Sequence, residues 1–441
     1  MSKALLKFIR HFISNITLIF INLTIYISKK GLSLFTKTEG KSFLKTNKAM
    51  LTQSLIGLLI CAFGDLFAGI ILGNMTLYLE SFPGLIVLIP GSIGMRGNIY
   101  GALASRIGTN LHIGTLSPEL KKSDVLSQNI QSSIILTLIL SISLGILAKI
   151  TCRLLNFNSM SLVDFIIISS FGGLISSLVM LPTTIIIPIK SFQNGWDPDN
   201  ITTPIITALG DLFTLPSILI AIYITLLIHN QILKIIVTTL IFIFTLLSFY
   251  FAYNSSSTMK KILKQNTPIL FLSSLMGISA GQILNMFMPT LLRNQSLLSL
   301  VPIFSGESGG LLSILSSRLT SAIHLGIIKP TYKLSKELRE NFKLILVLAT
   351  IIYPLIAILV ESLLYFLGTS QLSFITMILI STISGLVLIP ILIFVVFNVS
   401  IFSYLHGLDP DNIDIPFETS LTDFLSNIVL IAVSIILFRL L

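Results

Sequence analysis

Charge is scarce in this sequence. Of 441 residues, 10% are charged and 54% are hydrophobic, far from the usage of soluble globular domains. Apolar runs long enough to cross a hydrocarbon core recur along nearly the whole chain. They leave no room between them for a large soluble domain. Cysteine is scarcer still: the two, Cys61 and Cys152, both fall inside apolar runs. They offer no disulfide framework and no metal-site spacing, so both read as packing residues. Acids are outnumbered, 18 against 28 Lys and Arg. The basic excess gathers at the N-terminus and in short loops, as the positive-inside rule would place it. No basic stripe is interleaved with aromatics, which excludes a nucleic-acid surface.

The N-terminal segment, residues 1–48, is basic and reads as cytosolic or interfacial. Residues 12–27 are apolar but few, include Asn15, Thr17, Asn22 and Thr24, and precede no small-residue cleavage site. An amphipathic helix in the plane of the membrane suits them better than a signal peptide, with an extra span as the rival reading.

What is present is a repeat. Asp197-Pro198-Asp199-Asn200 recurs as Asp409-Pro410-Asp411-Asn412. The same offset pairs Gly195 with Gly407, Pro204 with Pro416 and Asp211 with Asp423. Far upstream it still pairs Pro90 with Pro302, Gly94 with Gly306, Arg106 with Arg318 and His112 with His324. Rare polar residues do not align by chance over such a length. The expected fold is therefore all-α and polytopic, with two tandem five-helix repeats, residues 49–230 and 265–441. Residues 231–264 join them and contain one further apolar run, 235–252. About eleven spans result. Because the joining helix restores parity, both copies should enter the membrane the same way, related by a pseudo-two-fold axis along its normal. Loop charges agree with a cytoplasmic N-terminus and an external C-terminus: Lys121, Lys122, Lys190, Lys260, Lys261, Lys264, Lys329 and Lys333 fall in inner loops.

Ionisable groups at membrane depth need a partner or a purpose. Asp211 lies about 18 Å along its helix from Asp199, near the midplane, and Asp423 matches it. Two such carboxylates facing across a pseudo-axis would make a hard-oxygen cation site, and Mg²⁺ typically takes only one or two carboxylates while keeping its waters. Asp197, Asp199, Asp409 and Asp411 cap their helices and would also ring the inner mouth with negative charge. The second helix of each copy, with Pro90, Gly91, Gly94 and Gly97 against Pro302, Gly306, Gly309 and Gly310, reads as interrupted. Such breaks line a wet path or allow close packing. Arg106 and Arg318 are expected to pair with the mouth carboxylates. His112 and His324 read as interfacial. Asp65 and Arg96 exist in the first copy only and lie at similar counted depth, which suggests a structural ion pair. Glu307 is unique to the second copy and would add a third pore carboxylate.

At these residues the sequence resembles the MgtE family of Mg²⁺ transporters and channels, in the two-repeat layout of the animal solute-carrier members. The resemblance rests on Asp-Pro-Asp-Asn, Pro204 and Gly210-Asp211 with their repeat ending in Asp423. It rests also on Gly97-Asn98, Ser105-Arg106 and Ser317-Arg318 with His324. It implies a central pore with Asp211 and Asp423 as cation ligands and Asn98 beside them, in a cell-membrane protein that works as a self-sufficient pseudo-dimer. No cofactor is implied, Mg²⁺ being the transported ion. The competing functions are transport of another substrate, an intramembrane aspartyl protease built on the same two aspartates, and a scaffold without transport.

Overall fold

The computed structural model describes residues 48–119, 123–194, 198–324, 326–406 and 410–440. Among them every regular element is helical: α1 (Lys48–Asn74), α2 (Thr76–Ser81), α3 (Leu85–Ile113), α4 (Asp124–Leu154), α5 (Leu162–Gln193), α6 (Pro198–Leu227), α7 (Gln231–Ser255), α8 (Ser257–Met286), α9 (Met288–Arg293), α10 (Gln295–His324), α11 (Lys336–Phe366), α12 (Phe374–Leu405) and α13 (Pro410–Leu440). Ten of these helices are long and apolar enough to cross a membrane. The chain is a multi-pass helical membrane protein. α3 is as long as its neighbours but is not among the ten, because Arg96, Asn98 and several glycines occupy its middle. The N-terminal helix expected at 12–27 lies outside the described residues.

Helix starts repeat with the motif spacing. α2 and α9 begin at Thr76 and Met288, α4 and α11 at Asp124 and Lys336, and α5 and α12 at Leu162 and Phe374. The local cause is a duplicated set of serine caps. Ser123 and Ser335 accept from the Leu126 and Leu338 amides at 3.2 Å. Ser161 and Ser373 accept from the Asp164 and Thr376 amides at 3.1 Å. Each cap satisfies a backbone donor that the first helical turn leaves free.

Several helices outrun the apolar stretches that announce them. α8 starts at Ser257, capped through Ser256, so Lys260, Lys261 and Lys264 are helical rather than in a loop. α11 starts at Lys336, which likewise takes Lys336, Arg339 and Lys343 into its first turns. Hydropathy fades where the hydrocarbon would end, but a capped helix continues into the interface. The interrupted second helix is also corrected: α3 and α10 run without a break through Pro90 and Pro302.

Their glycines serve close approach. A Cβ on Gly277 would stand 2.5 Å from the Gly91 Cα, and one on Gly281 would fall on the Val87 backbone. α8 therefore lies backbone to backbone on α3. Gly69 of α1 meets Ser299 of α10 in the same way. These contacts reveal an exchange between the copies. α1 packs on α10 and α11 as well as on α6, while α8 packs on α3 and α4 as well as on α13. The first helix of each copy is thus seated in the other copy. α7 stands apart, with only Thr245 and Ala252 buried, as a helix facing lipid would be. It is pinned at its start by Lys234, whose Nζ donates to Asp164 at 2.7 Å.

Candidate cation site

Asp423 of α13 is held from α10. Ser305 Oγ donates to its Oδ1 at 2.7 Å, and Ser426 Oγ donates to Ser305 at 2.9 Å. The other carboxylate oxygen looks across to α3, where a Cβ on Gly94 would stand 3.4 Å away. The Asp423 carboxylate thus lies between α10 of its own copy and α3 of the other.

Asp211 has different company. α6 approaches α3 at Gly210, whose Cβ would lie 3.5 Å from the Gly97 amide, and approaches α1 at Ala208, whose carbonyl would stand 2.8 Å from a Cβ on Gly64. The next residue on α1 is Asp65. Its side chain is buried to 1% exposure, and neither carboxylate oxygen receives a donor. It lies in side-chain hydrogen-bonding reach of Asp211 and directly against Gly306 of α10. Two carboxyl groups in contact, with no donor between them, require either a shared proton or a cation. Glu307, 0% exposed and also without a donor, is in electrostatic range of Asp65 and of Cys61. Asp211 is in turn in range of Asp423. Four acids from both copies therefore share one buried region. Asn98 lies one turn beyond Gly94 on the same face of α3, its amide nitrogen buried without an acceptor.

The expected Asp65–Arg96 ion pair does not form. Arg96 turns toward α5, donating from Nε to Ser176 Oγ at 2.6 Å and from Nη1 to the Ser92 carbonyl at 2.7 Å. Depth counted along two helices does not say which way each side chain faces. In the second copy the same space is filled differently: Ser308 stands at the Arg96 position and bonds the Tyr353 hydroxyl at 2.9 Å, with the Tyr353 ring against Gly385. Arg106 and Arg318 bond asparagines through Nε, Asn129 Oδ1 at 2.8 Å and Asn341 Oδ1 at 2.6 Å, while the mouth carboxylates expected to pair with them lie outside the described side chains. Asn129 and Asn341 are themselves one repeat apart, a signal the sequence contained. Asp197, Asp409 and the side chains of Asp199, Asp411, His112 and His324 lie outside the described residues. Ser305 and Ser426 are site residues that the sequence did not single out, and Asp65, expected in a structural ion pair, joins them.

Among the described residues, no three His, Cys, Asp or Glu side chains converge tightly enough to hold a metal ion by themselves. A cavity of about 310 Å³, lined by Arg318, Lys336 and Glu340 among others, opens between α10 and α11 and is not lined by Asp65, Asp211, Glu307 or Asp423. The buried acids are instead a donor-poor set of hard oxygens, suited to an ion that retains part of its water.

A bundle of twice-used helices enclosing acids from both copies defines a membrane protein that handles cations. The chain belongs to the MgtE family of divalent cation transporters, whose model matches residues 89–222 and 301–433, more than half the chain. It is similar to solute carrier family 41 member 3 of Rattus norvegicus, 25% identical over 402 residues that cover 85% of this chain and 84% of that protein. It is similar also to member 2 of that solute-carrier family from Homo sapiens, 27% identical over 179 residues, 38% of this chain and 30% of that protein. No solved structure matches it. The chain is thus a divalent cation transporter rather than an enzyme, which removes the aspartyl protease reading.

Proposed function

We propose that the protein carries Mg²⁺ across the cell membrane along a path between its two copies, with Asp211 and Asp423 as the principal ligands. The observation that carries this reading is the placement of Asp423, bonded to α10 and facing Gly94 of α3, with Asp211 in electrostatic range of it. Carboxylates that draw on so few protein donors suit a small cation that brings its own waters. Asn98 and Glu307 line the same region as further oxygen donors along the path. Asp197, Asp199, Asp409 and Asp411 gather cations at the inner mouth, with the N-terminus cytoplasmic and the C-terminus external. The two copies act as a self-sufficient pseudo-dimer, because each holds the other's first helix. An inside-negative potential favours entry of a divalent ion by about 4.6 kcal/mol per 100 mV, so uptake needs no coupled ion.

The test is Mg²⁺ entry into proteoliposomes that contain a Mg²⁺-sensitive dye and carry an inside-negative potential. Wild-type entry that Asp211→Asn and Asp423→Asn each abolish is the expected result. Unchanged entry in both variants would move the path elsewhere. No entry in wild type would set the Mg²⁺ reading aside.

A further inference from the structure

Asp65 has no counterpart in the second copy, where Gly277 stands in its place and is closed off by the Gly91 backbone. It is nonetheless more deeply buried than either duplicated aspartate. Neither of its oxygens has a donor, and among the described residues the ion pairs are Lys234–Asp164 and Lys343–Glu340, remote from it. Arg96, the nearest candidate by sequence, gives its Nε and Nη1 bonds to Ser176 and Ser92 and makes no ion pair with Asp65. The two halves of the acidic region are therefore unequal. Asp423 is served by the hydroxyls of Ser305 and Ser426. The corresponding first-copy residues are Ile93, which has no hydroxyl, and Thr214, whose hydroxyl is spent on the Gly210 carbonyl. Gly94 faces the Asp423 carboxylate directly, but its counterpart Gly306 faces Asp65, which is also in reach of Asp211.

We propose that Asp65 of α1 is itself a ligand of the transported divalent cation, forming with Asp211 an asymmetric two-carboxylate seat offset from Asp423 toward the first copy. This rests on the transport reading above and adds a residue to its site. Two charges at one end match a divalent ion without any third protein anion, and the remaining positions are left to water. Asp423, stabilised by hydroxyls, is then the next station along the path rather than an equal partner in one symmetric site. Glu307, next to Gly306 on α10 and in electrostatic range of Asp65, adds negative potential to the seat. The exchange of first helices gives the arrangement its meaning: a ligand on α1 ties the cation to the helix that links the copies.

The experiment measures Mg²⁺ uptake against Mg²⁺ concentration for the full chain, comparing wild type with Asp65→Asn and Asp65→Glu. The purified proteins are also titrated with Mg²⁺ while thermal stability is followed. Asp65→Asn is expected to raise half-saturating Mg²⁺ at least tenfold and to lose the Mg²⁺-dependent rise in stability, and Asp65→Glu to restore much of both. A purely structural Asp65 would lower stability with or without Mg²⁺ and leave half-saturation within twofold, which would overturn the proposal. Should the variants fail to fold, labelling of Asp65 in the wild-type chain by a hydrophobic carbodiimide, mapped by mass spectrometry, decides the matter. Protection at the Mg²⁺ concentration that saturates uptake supports the assignment, and labelling indifferent to Mg²⁺ overturns it. Failure of transport itself shows separately, as absent wild-type uptake.

Discussion

Ser305 Oγ donates to Asp423 Oδ1 at 2.7 Å, whereas the residue one repeat earlier, Ile93, has no hydroxyl to offer Asp211. A hydrogen bond to a charged group contributes about 1.5–3 kcal/mol. Ser305→Ala should therefore weaken the hold on Asp423 without removing its charge. We expect half-saturating Mg²⁺ to rise by roughly tenfold, equivalent to about 1.4 kcal/mol, with transport retained. Uptake kinetics indistinguishable from wild type would show that the Ser305 hydroxyl is dispensable.

Glycines along α10 should respond very differently to one added methyl. At Gly306 a Cβ falls on the Asp65 carboxylate, while at Gly309 nothing lies within 4 Å. Gly306→Ala is expected to suppress Mg²⁺ uptake strongly and Gly309→Ala to leave it near wild type. Equal effects of the two, measured in the same proteoliposomes, would contradict this packing.

The α8–α3 contact is backbone against backbone, so neither side has a flexible atom to yield. Gly277→Ala and Gly281→Ala should each destabilise the protein by roughly 1–3 kcal/mol, the usual range for overpacking. Thermal unfolding in detergent reads the loss directly. Gly57→Ala, with open space around it, is the control that should leave stability nearly unchanged.

Arg106–Asn129 and Arg318–Asn341 are the same bond made twice. A double-mutant cycle at either pair should give a coupling of about 1–3 kcal/mol, because truncating one partner strands the other where water is scarce. A coupling near zero would mean that each arginine draws its stability from somewhere else.

Lys234 and Asp164 form a pair with side chains 15% exposed, and few other contacts secure α7. Lys234→Met should loosen the start of that helix. We expect faster proteolytic cleavage of the connection at residues 228–230, with Mg²⁺ half-saturation unchanged. A cleavage rate equal to wild type would show that lipid-facing packing alone keeps α7 in place.

Much of the fold was legible in advance because burial in lipid and duplication both leave linear traces. Apolar runs mark the helices, and the matched Asp-Pro-Asp-Asn elements, glycines and arginines mark the copies. Asp211 and Asp423 stood out because a carboxylate deep in an apolar run is costly and these two repeat. The readings that changed depended on direction. Arg96 and Asp65 were matched by depth, yet they face different neighbours. Pro90 and Pro302 looked like breaks, yet each removes a single backbone donor from a helix that continues around it.

Hydropathy and the internal repeat suffice to define a helical membrane protein made of two related halves, with acids buried at equivalent positions in each. They do so because helix length, capping and hydropathy are local properties, and an internal repeat needs no coordinates to be seen. The exchange of first helices between the halves and the seating of Gly277 on Gly91 emerge from the packed structure. It alone brought Asp65 against Asp211 and Gly306, and gave Arg106 and Arg318 their asparagines. Those relations depend on which face of one helix meets which face of another. A helix presents residues in every direction, and packing alone selects among them.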